Sequence, residues 1–257
     1  MENNKPLILI TNDDGYLAKG IIALIESVKG LGEILVVAPD GPRSGMSSAI
    51  TSLHPLRANL LKDEPDLKIY TCTGTPVDCV KLGINELAER KPDIVLSGVN
   101  HGSNAAVAVL YSGTMGAAIE GAVFKIPSIG FSLLDHSYDA DFSYSKKYIR
   151  LLTEQVIKEG LPSGTCLNVN IPKGNNIQGI KVCRQTSGQW IKEFLLSKDG
   201  IDKNVYWLTG EFANDEPQDE ATDEWALAQG YVSVVPVKVD MTNHEYIEKI
   251  RSWEKLV

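Results

Sequence analysis

The sequence predicts an α/β fold, a largely parallel sheet with helices packed on both faces. Three observations predict it. Short apolar, β-branched runs alternate with longer helix-like segments through the first two-thirds of the chain. The first run, Pro6-Leu7-Ile8-Leu9-Ile10-Thr11, is apolar throughout its centre, as a strand buried on both faces requires. The loops that follow such runs are rich in Gly, Asn, Asp and Ser, the residues that turn a strand into a helix.

The elements follow in order. Leu7–Thr11 is the first strand and Lys19–Val28 the first helix. Residues 34–38 form a strand, followed by a loop rich in Pro, Gly and Ser over residues 39–52. Residues 56–60 and 67–71 are extended. A helix starts at Pro76, since proline suits the first helical turn and Thr75 suits the cap. Residues 93–97 make a third core strand, and a long Gly/Asn/Ser loop runs on to Thr114. A small-residue helix over 115–124 leads to a strand at 128–131, a helix at 144–159 and a strand at 166–171. Beyond Pro172 the pattern changes: residues 180–185 and 205–208 are extended between polar loops. The acidic run 215–224 reads as a solvated surface loop. Residues 231–235 are strand-like and 243–253 a closing helix. The core spans about 1–175, an arm about 180–220, and a closing strand and helix about 222–257, all in one domain.

Composition narrows the function. The 257 residues are 43% hydrophobic and 23% charged, ample for a real core. A net charge of −8 argues against a nucleic acid polymer as partner, but leaves room for a small phosphorylated ligand whose charge a metal offsets. The four cysteines, Cys72, Cys79, Cys166 and Cys183, show no CxxC pairing and read as reduced, mostly buried thiols, which suits the cytoplasm. The N-terminal Met-Glu-Asn-Asn-Lys-Pro is polar and enters a strand directly. With no apolar signal region and no run long enough to span a bilayer, no membrane association is expected.

The chemistry concentrates at strand ends. Asp13 and Asp14 follow the first strand, where open α/β sheets bind ligands. Adjacent carboxylates repel unless a cation or protons neutralise them, and a hard divalent ion does this most simply. The second loop, Ala38-Pro39-Asp40-Gly41-Pro42-Arg43-Ser44-Gly45, offers a guanidinium and a hydroxyl. The third, Ser97-Gly98-Val99-Asn100-His101-Gly102-Ser103-Asn104, offers two amides and an imidazole, and Tyr111-Ser112-Gly113-Thr114-Met115-Gly116 opens a helix.

Each residue also has a structural reading. Ser112 and Thr114 suit a helix cap, Asn100 and Gly102 a turn, and Arg43 a solvated charge. His101 is either a neutral structural histidine or a group near the leaving group, while His54, His136 and His244 read as structural. Asp78 reads as a first-turn helix charge that also supports the site. It is the joint occurrence across several loops that favours chemistry.

At these residues the chain resembles the SurE family of survival proteins, which are metal-dependent nucleoside monophosphate phosphatases. The matching segments are ILITNDDGYLAKGI, VVAPDGPRSGMSSAIT, TGTPVDCV, PDIVLSGVNHGSN, VLYSGTMGAAIEGA, LNVNIP and TDEWALAQGYVSVVPVKVD, which span nearly the whole chain. The resemblance implies a Rossmann-like three-layer sandwich with a mostly parallel sheet and a C-terminal β-hairpin arm used in oligomerisation, in a homodimer or homotetramer. It implies that Asp13, Asp14, Ser44 and Asn100 hold one divalent metal ion, Mg²⁺ or Mn²⁺, with Ca²⁺ a candidate in crystals. Asn104, Ser112, Gly113 and Thr114 match the family's phosphate-holding loop, and Asn12 and Arg43 join them as candidate substrate contacts. The implied substrates are nucleoside 5′-monophosphates, with 3′-monophosphates and short polyphosphate as further candidates. Asp13 or Asp14 is the candidate general base. His101 and residues 105–109 are local choices that bear on base preference.

Two alternatives stand beside this. An aspartyl-phosphate mechanism needs a D-x-D spacing, whereas these carboxylates are adjacent. A non-catalytic nucleotide sensor is the other, although no GxGxxG or GxxxxGK[ST] signal appears at a strand-to-helix turn.

Overall fold

The structure, a computed structural model, describes residues 5–256. Residues 1–4, the polar stretch expected to lead into the first strand, lie outside the described residues, as does residue 257. The strands are β1 (Leu7–Thr11), β2 (Glu33–Pro39), β3 (Ala58–Glu64), β4 (Leu67–Cys72), β5 (Ile94–His101), β6 (Ser128–Leu133), β7 (Thr165–Ile171), β8 (Gly179–Val182), β9 (Gly188–Ile191), β10 (Phe194–Lys198), β11 (Asn204–Leu208), β12 (Glu211–Asn214) and β13 (Tyr231–Lys238). The helices are α1 (Lys19–Val28), α2 (Pro76–Leu82), α3 (Gly113–Val123), α4 (Lys146–Glu159), α5 (Asp223–Ala228) and α6 (His244–Ile250). A π-helical turn, Gly83–Leu87, extends α2, and a 3₁₀ turn, Ala106–Leu110, precedes α3.

One nine-stranded sheet in the order β3-β4-β2-β1-β5-β6-β7-β13-β8 forms the centre. The pairs from β4 to β7 are parallel, whereas β3 and β13 run antiparallel to β4 and β7. Alternation along β1 explains the two helical layers. Ile8 and Ile10 pack with Ile21 and Leu24 of α1 and Ile149 of α4. Leu7 and Leu9 face the other way, onto Cys79 and Val80 of α2 and Ala117 of α3. Burying each such aliphatic side chain contributes roughly 1.5–3 kcal/mol. β1 sits between β2 and β5, so the chain order runs outward on both sides of it. The carboxyl ends of β1 and β5 therefore border the crevice where such sheets bind ligands.

Local differences from the sequence expectation have physical causes. β5 runs on to His101, and its register with β6 shifts between Ser97 and Asn100, an irregularity that re-aims the strand end. α3 starts at Gly113 because Ser112 caps it. The acidic run 215–224 is not simply a solvated loop. Asp223 is fully buried and accepts from Thr186 N–H, Thr186 Oγ1 and Ala106 N–H at 2.9, 2.6 and 2.9 Å. Glu216 and Asp219 clasp Arg184 at 2.6 and 2.5 Å. Nor does the terminal helix close over the core. α6 and the 3₁₀ turn after it, Arg251–Lys255, bury no residue and leave Tyr246 and Trp253 exposed.

The arm is two short ribbons in series, β9 with β12 and β10 with β11. They meet at a corner where Lys192 has φ 54° and Gly210 φ 139°. The outer ribbon leaves Phe194, Leu195, Leu196, Tyr206, Trp207 and Leu208 exposed. All four cysteines are free and buried. No described helix is long and apolar enough to cross a membrane.

Candidate active site

β1 delivers Asn12, Asp13 and Asp14 past its carboxyl end. Asn12 Nδ2 donates to the Gly15 carbonyl at 3.0 Å, closing the turn. Gly15 has φ 95°, and a Cβ there would sit 3.1 Å from the Gly41 carbonyl carbon. Only glycine lets the first loop close on the second this way. The Arg43 N–H then donates to the Asp13 carbonyl at 2.6 Å, fixing the second loop and Ser44 beside the aspartates.

β5 delivers Asn100. Its Nδ2 donates to the His101 and Gly102 carbonyls at 3.2 and 2.9 Å, so Oδ1 is the free end of this amide. α3 starts against Asp13. The Thr114 hydroxyl donates to Asp13 Oδ1 at 2.7 Å, and Ser112 Oγ accepts from Met115 N–H at 3.0 Å. A side chain at Gly113 would press on Asp13, because a Cβ would lie 3.0 Å from Asp13 Cβ.

Asn104 is held by a buried amide network. Its Nδ2 donates to Ser132 Oγ, its N–H to Asn170 Oδ1, and its carbonyl accepts from Asn168 Nδ2, each at 2.8 Å. Asn168 and Asn170 are positioning residues that sequence reasoning did not assign. The available signal was a pair of asparagines in the otherwise apolar strand LNVNI, since buried amides persist where they are hydrogen-bonded.

Asp13, Asp14, Ser44, Asn100, Asn104 and Ser112 line one cleft of about 390 Å³. Gly45, His101, Ala108, Tyr111, Trp190, Glu193, Leu208 and Thr209 complete it, the last four coming from the arm. Nothing in the sequence marked the arm residues as part of this cleft. Cavities of about 440 and 410 Å³ lie elsewhere, but neither is lined by adjacent carboxylates. Gly113 and Thr114 sit directly behind Asp13, and Asn12 in the turn beneath it. Arg43 is brought to the loop but not to the cleft wall. Its guanidinium binds Asp40 Oδ1 at 2.8 Å and the Thr73 carbonyl at 3.4 Å.

Asp78 completes a capping box with Thr75 and accepts from Thr51 N–H at 3.1 Å, which ties the second loop to α2. His101 stands edge-on to Phe142 with ring centroids 4.9 Å apart. His136 packs over Gly102, where a Cβ would meet its Cε1 at 2.1 Å. His244 pairs with Asp240 at 2.7 Å, far along the chain from the cleft residues, and His54 is exposed.

The electrostatics favour a bound cation. Burial pushes the Asp13 carboxyl up to about 6; the Thr114 hydroxyl opposes this and the Asp14 charge adds to it. Burial also raises Asp14 above the usual carboxylate range, with His101 opposing. Asp14 Oδ2 and Asn12 Oδ1 are buried without a hydrogen-bond partner among the described residues. Unpartnered buried oxygens cost free energy that a cation would offset. No group of three or more His, Cys, Asp or Glu side chains suited to a metal occurs among the described residues. Two carboxylates with neutral oxygens and water suit a hard ion such as Mg²⁺, so the donor set fits the implied group.

Known proteins resemble this chain over nearly its whole length. The family profile described as Survival protein SurE matches residues 8–192. A protein of Phocaeicola vulgatus named 5′-nucleotidase SurE is 52% identical over 253 residues, covering 98% of each chain. One of the same name from Bacteroides fragilis is 50% identical over 254 residues, covering 99% of this chain and 100% of its own. The crystal structure of the SurE protein from Aquifex aeolicus superposes with a TM-score of 0.84 at 40% identity, covering 97% of this chain and 100% of its own.

Proposed function

The chain belongs to the survival protein SurE family, and we propose that it is a metal-dependent 5′-nucleotidase releasing phosphate from nucleoside 5′-monophosphates. One observation carries this reading: Asp13, Asp14, Ser44, Asn100 and Ser112, drawn from four loops, line a single cleft. Asp13, Asp14, Ser44 and Asn100 would hold one divalent ion, Mg²⁺ or Mn²⁺, through oxygen alone. Such an ion, when bound, lowers the pKa of a coordinated water and offsets charge developing on the phosphoryl oxygens.

The chain's own groups do the rest. Ser112 caps α3 and orders its first turn, whose backbone N–H groups lack partners within the helix and present the positive end of its dipole. A phosphate dianion is stabilised there, beside Asn104. Thr114 orients Asp13 and favours its ionised form. A carboxylate so oriented can accept a proton from an attacking water. 3′-Monophosphates and short polyphosphate are further candidate substrates of the same cleft.

The arm supports a second part of the reading. A two-stranded ribbon with an exposed apolar surface is not stable alone in water. β10 and β11 therefore pair with another copy of this chain in a dimer or tetramer. A cytoplasmic location is part of the same reading, and free, buried thiols support it.

A phosphate-release assay with Mg²⁺ or Mn²⁺ over a panel of nucleotides tests the reading. A nucleotidase releases phosphate. A sensor binds nucleotide and releases none, and that result would overturn the catalytic assignment.

A further inference from the structure

We propose that the inner ribbon of the arm carries the nucleobase subsite, with Trp190 supplying the face on which the base stacks and Glu193 accepting from the base's donor edge. The proposal rests on the nucleotidase reading, which places the phosphate at the Ser112 end of the same cleft.

Two sets of residues line the cleft. Asp13, Asp14, Ser44 and Asn100 come from the strand-end loops. Trp190, Glu193, Leu208 and Thr209 come from the arm, and Tyr111 lines it too. Aromatic and aliphatic side chains sharing one cleft with a polar centre are what an aromatic base tethered to a phosphate requires. Base stacking on a side-chain ring is strong and tolerant of sequence, because every base presents a π-face.

Trp190 is held in place. It pairs across the ribbon with Phe212, edge to face, with ring centroids 5.9 Å apart at 66°. Gly210 lies close to it as well, since a Cβ there would lie 3.2 Å from Trp190 Cε3. The residue nonetheless stays 37% exposed. Tyr206 and Trp207 of the outer ribbon are more exposed still and line no part of the cleft.

Glu193 leaves a pinned corner. Thr209 N–H donates to the Glu193 carbonyl at 2.8 Å, and Thr209 Oγ1 to the Lys192 carbonyl at 3.0 Å. The adjacent Lys192 pairs with Glu211 at 2.8 Å, which leaves the Glu193 carboxylate without an ion pair among the described residues. A free carboxylate accepts two parallel hydrogen bonds from a guanine, whose N1–H and N2 amine point the same way. Adenine offers one such donor group on that edge.

The test compares GMP, AMP and ribose 5-phosphate as substrates, in Mg²⁺, for wild type, Trp190→Ala, Trp190→Phe and Glu193→Gln. Ribose 5-phosphate keeps the sugar and phosphate and lacks the base. The wild type should prefer GMP to ribose 5-phosphate in kcat/KM. Trp190→Ala should cut that preference about 10-fold or more, mainly through KM for GMP. Trp190→Phe, which keeps a stacking face, should recover most of it. Glu193→Gln should lower the GMP-to-AMP ratio, and an unchanged ratio would remove Glu193 from the subsite. An equal loss on GMP and ribose 5-phosphate in Trp190→Ala would make Trp190 structural and overturn the base seat. So would a wild type that hydrolyses both substrates equally well, while leaving the phosphatase intact. A wild type inactive on all three would overturn the nucleotidase reading and the base seat together.

Discussion

The Thr114 hydroxyl donates to Asp13 Oδ1 at 2.7 Å, joining the first turn of α3 to the end of β1. Ser112, two residues earlier, accepts from Met115 N–H and caps the helix. The two hydroxyls therefore do different work, and substitution should separate them. Thr114→Val removes the group that orients Asp13 and favours its ionised form, so turnover should fall by roughly 10²-fold with little change in melting temperature. Ser112→Ala should cost about 1 kcal/mol of stability through the lost cap. Turnover and thermal melting on the same samples check both. Equal kinetic loss with no stability loss in either variant would contradict the division.

Asp223 holds the root of the arm to the loop above the site. It is fully buried and takes donors from Thr186 and Ala106. Asp223→Ala would strand those donors, at a cost of about 3 kcal/mol or more. Denaturant unfolding should show the loss, and a variant as stable as wild type would mean that water replaces the carboxylate.

Much of this was legible in the sequence, for identifiable reasons. The doubly buried strand at Leu7–Thr11 follows from its unbroken apolar run, and the start of α2 from Thr75-Pro76. The loops bearing Asp13, Ser44, Asn100 and Ser112 could be named because each follows an apolar strand or opens a helix. Other features depend on tertiary context. The acidic stretch near Asp223 reads as solvated because charge runs usually are, and only the fold shows the Thr186 and Ala106 donors that make its burial tolerable. The arm residues of the cleft carry no local signal. Trp190 reaches the site because β9 packs on the Ala106–Leu110 turn, a contact between segments distant in sequence.

The clasp at the base of the arm predicts an acid response. Hydrogen bonds from Arg184 and Ser187 N–H hold the Glu216 carboxyl down to about 2, from an ordinary 4.5. A group with a depressed folded pKa contributes stability in full above its unfolded value and loses it as pH falls toward the folded one. The contribution of Glu216 should therefore fade between about pH 4.5 and 2. Glu216→Gln should show a shallower loss of melting temperature across that window than wild type. Parallel slopes would remove Glu216 from the acid response.

The outer ribbon predicts assembly. Leu196 and Tyr206 face each other across β10 and β11 and are exposed. Light scattering at micromolar concentration should find more than one chain per particle, and Leu196→Ser with Tyr206→Ser should shift the protein toward monomer. A wild type that is monomeric at that concentration would contradict assembly through the outer ribbon.

The most direct measurement is phosphate release from a nucleoside monophosphate by chelator-treated wild type and Asp13→Asn, titrated with Mg²⁺ or Mn²⁺, with melting temperature followed in parallel. Asp13→Asn keeps the shape of a buried side chain and removes one of two adjacent charges. Wild type should be inactive without metal, and it should regain activity and gain thermal stability as metal is added, because a bound ion stabilises the state that holds it. Asp13→Asn should fold yet show almost no activity and little metal-dependent stabilisation. Full turnover by the chelated wild type, or most of the wild-type activity in Asp13→Asn at limiting metal, would contradict a metal-dependent site built on Asp13.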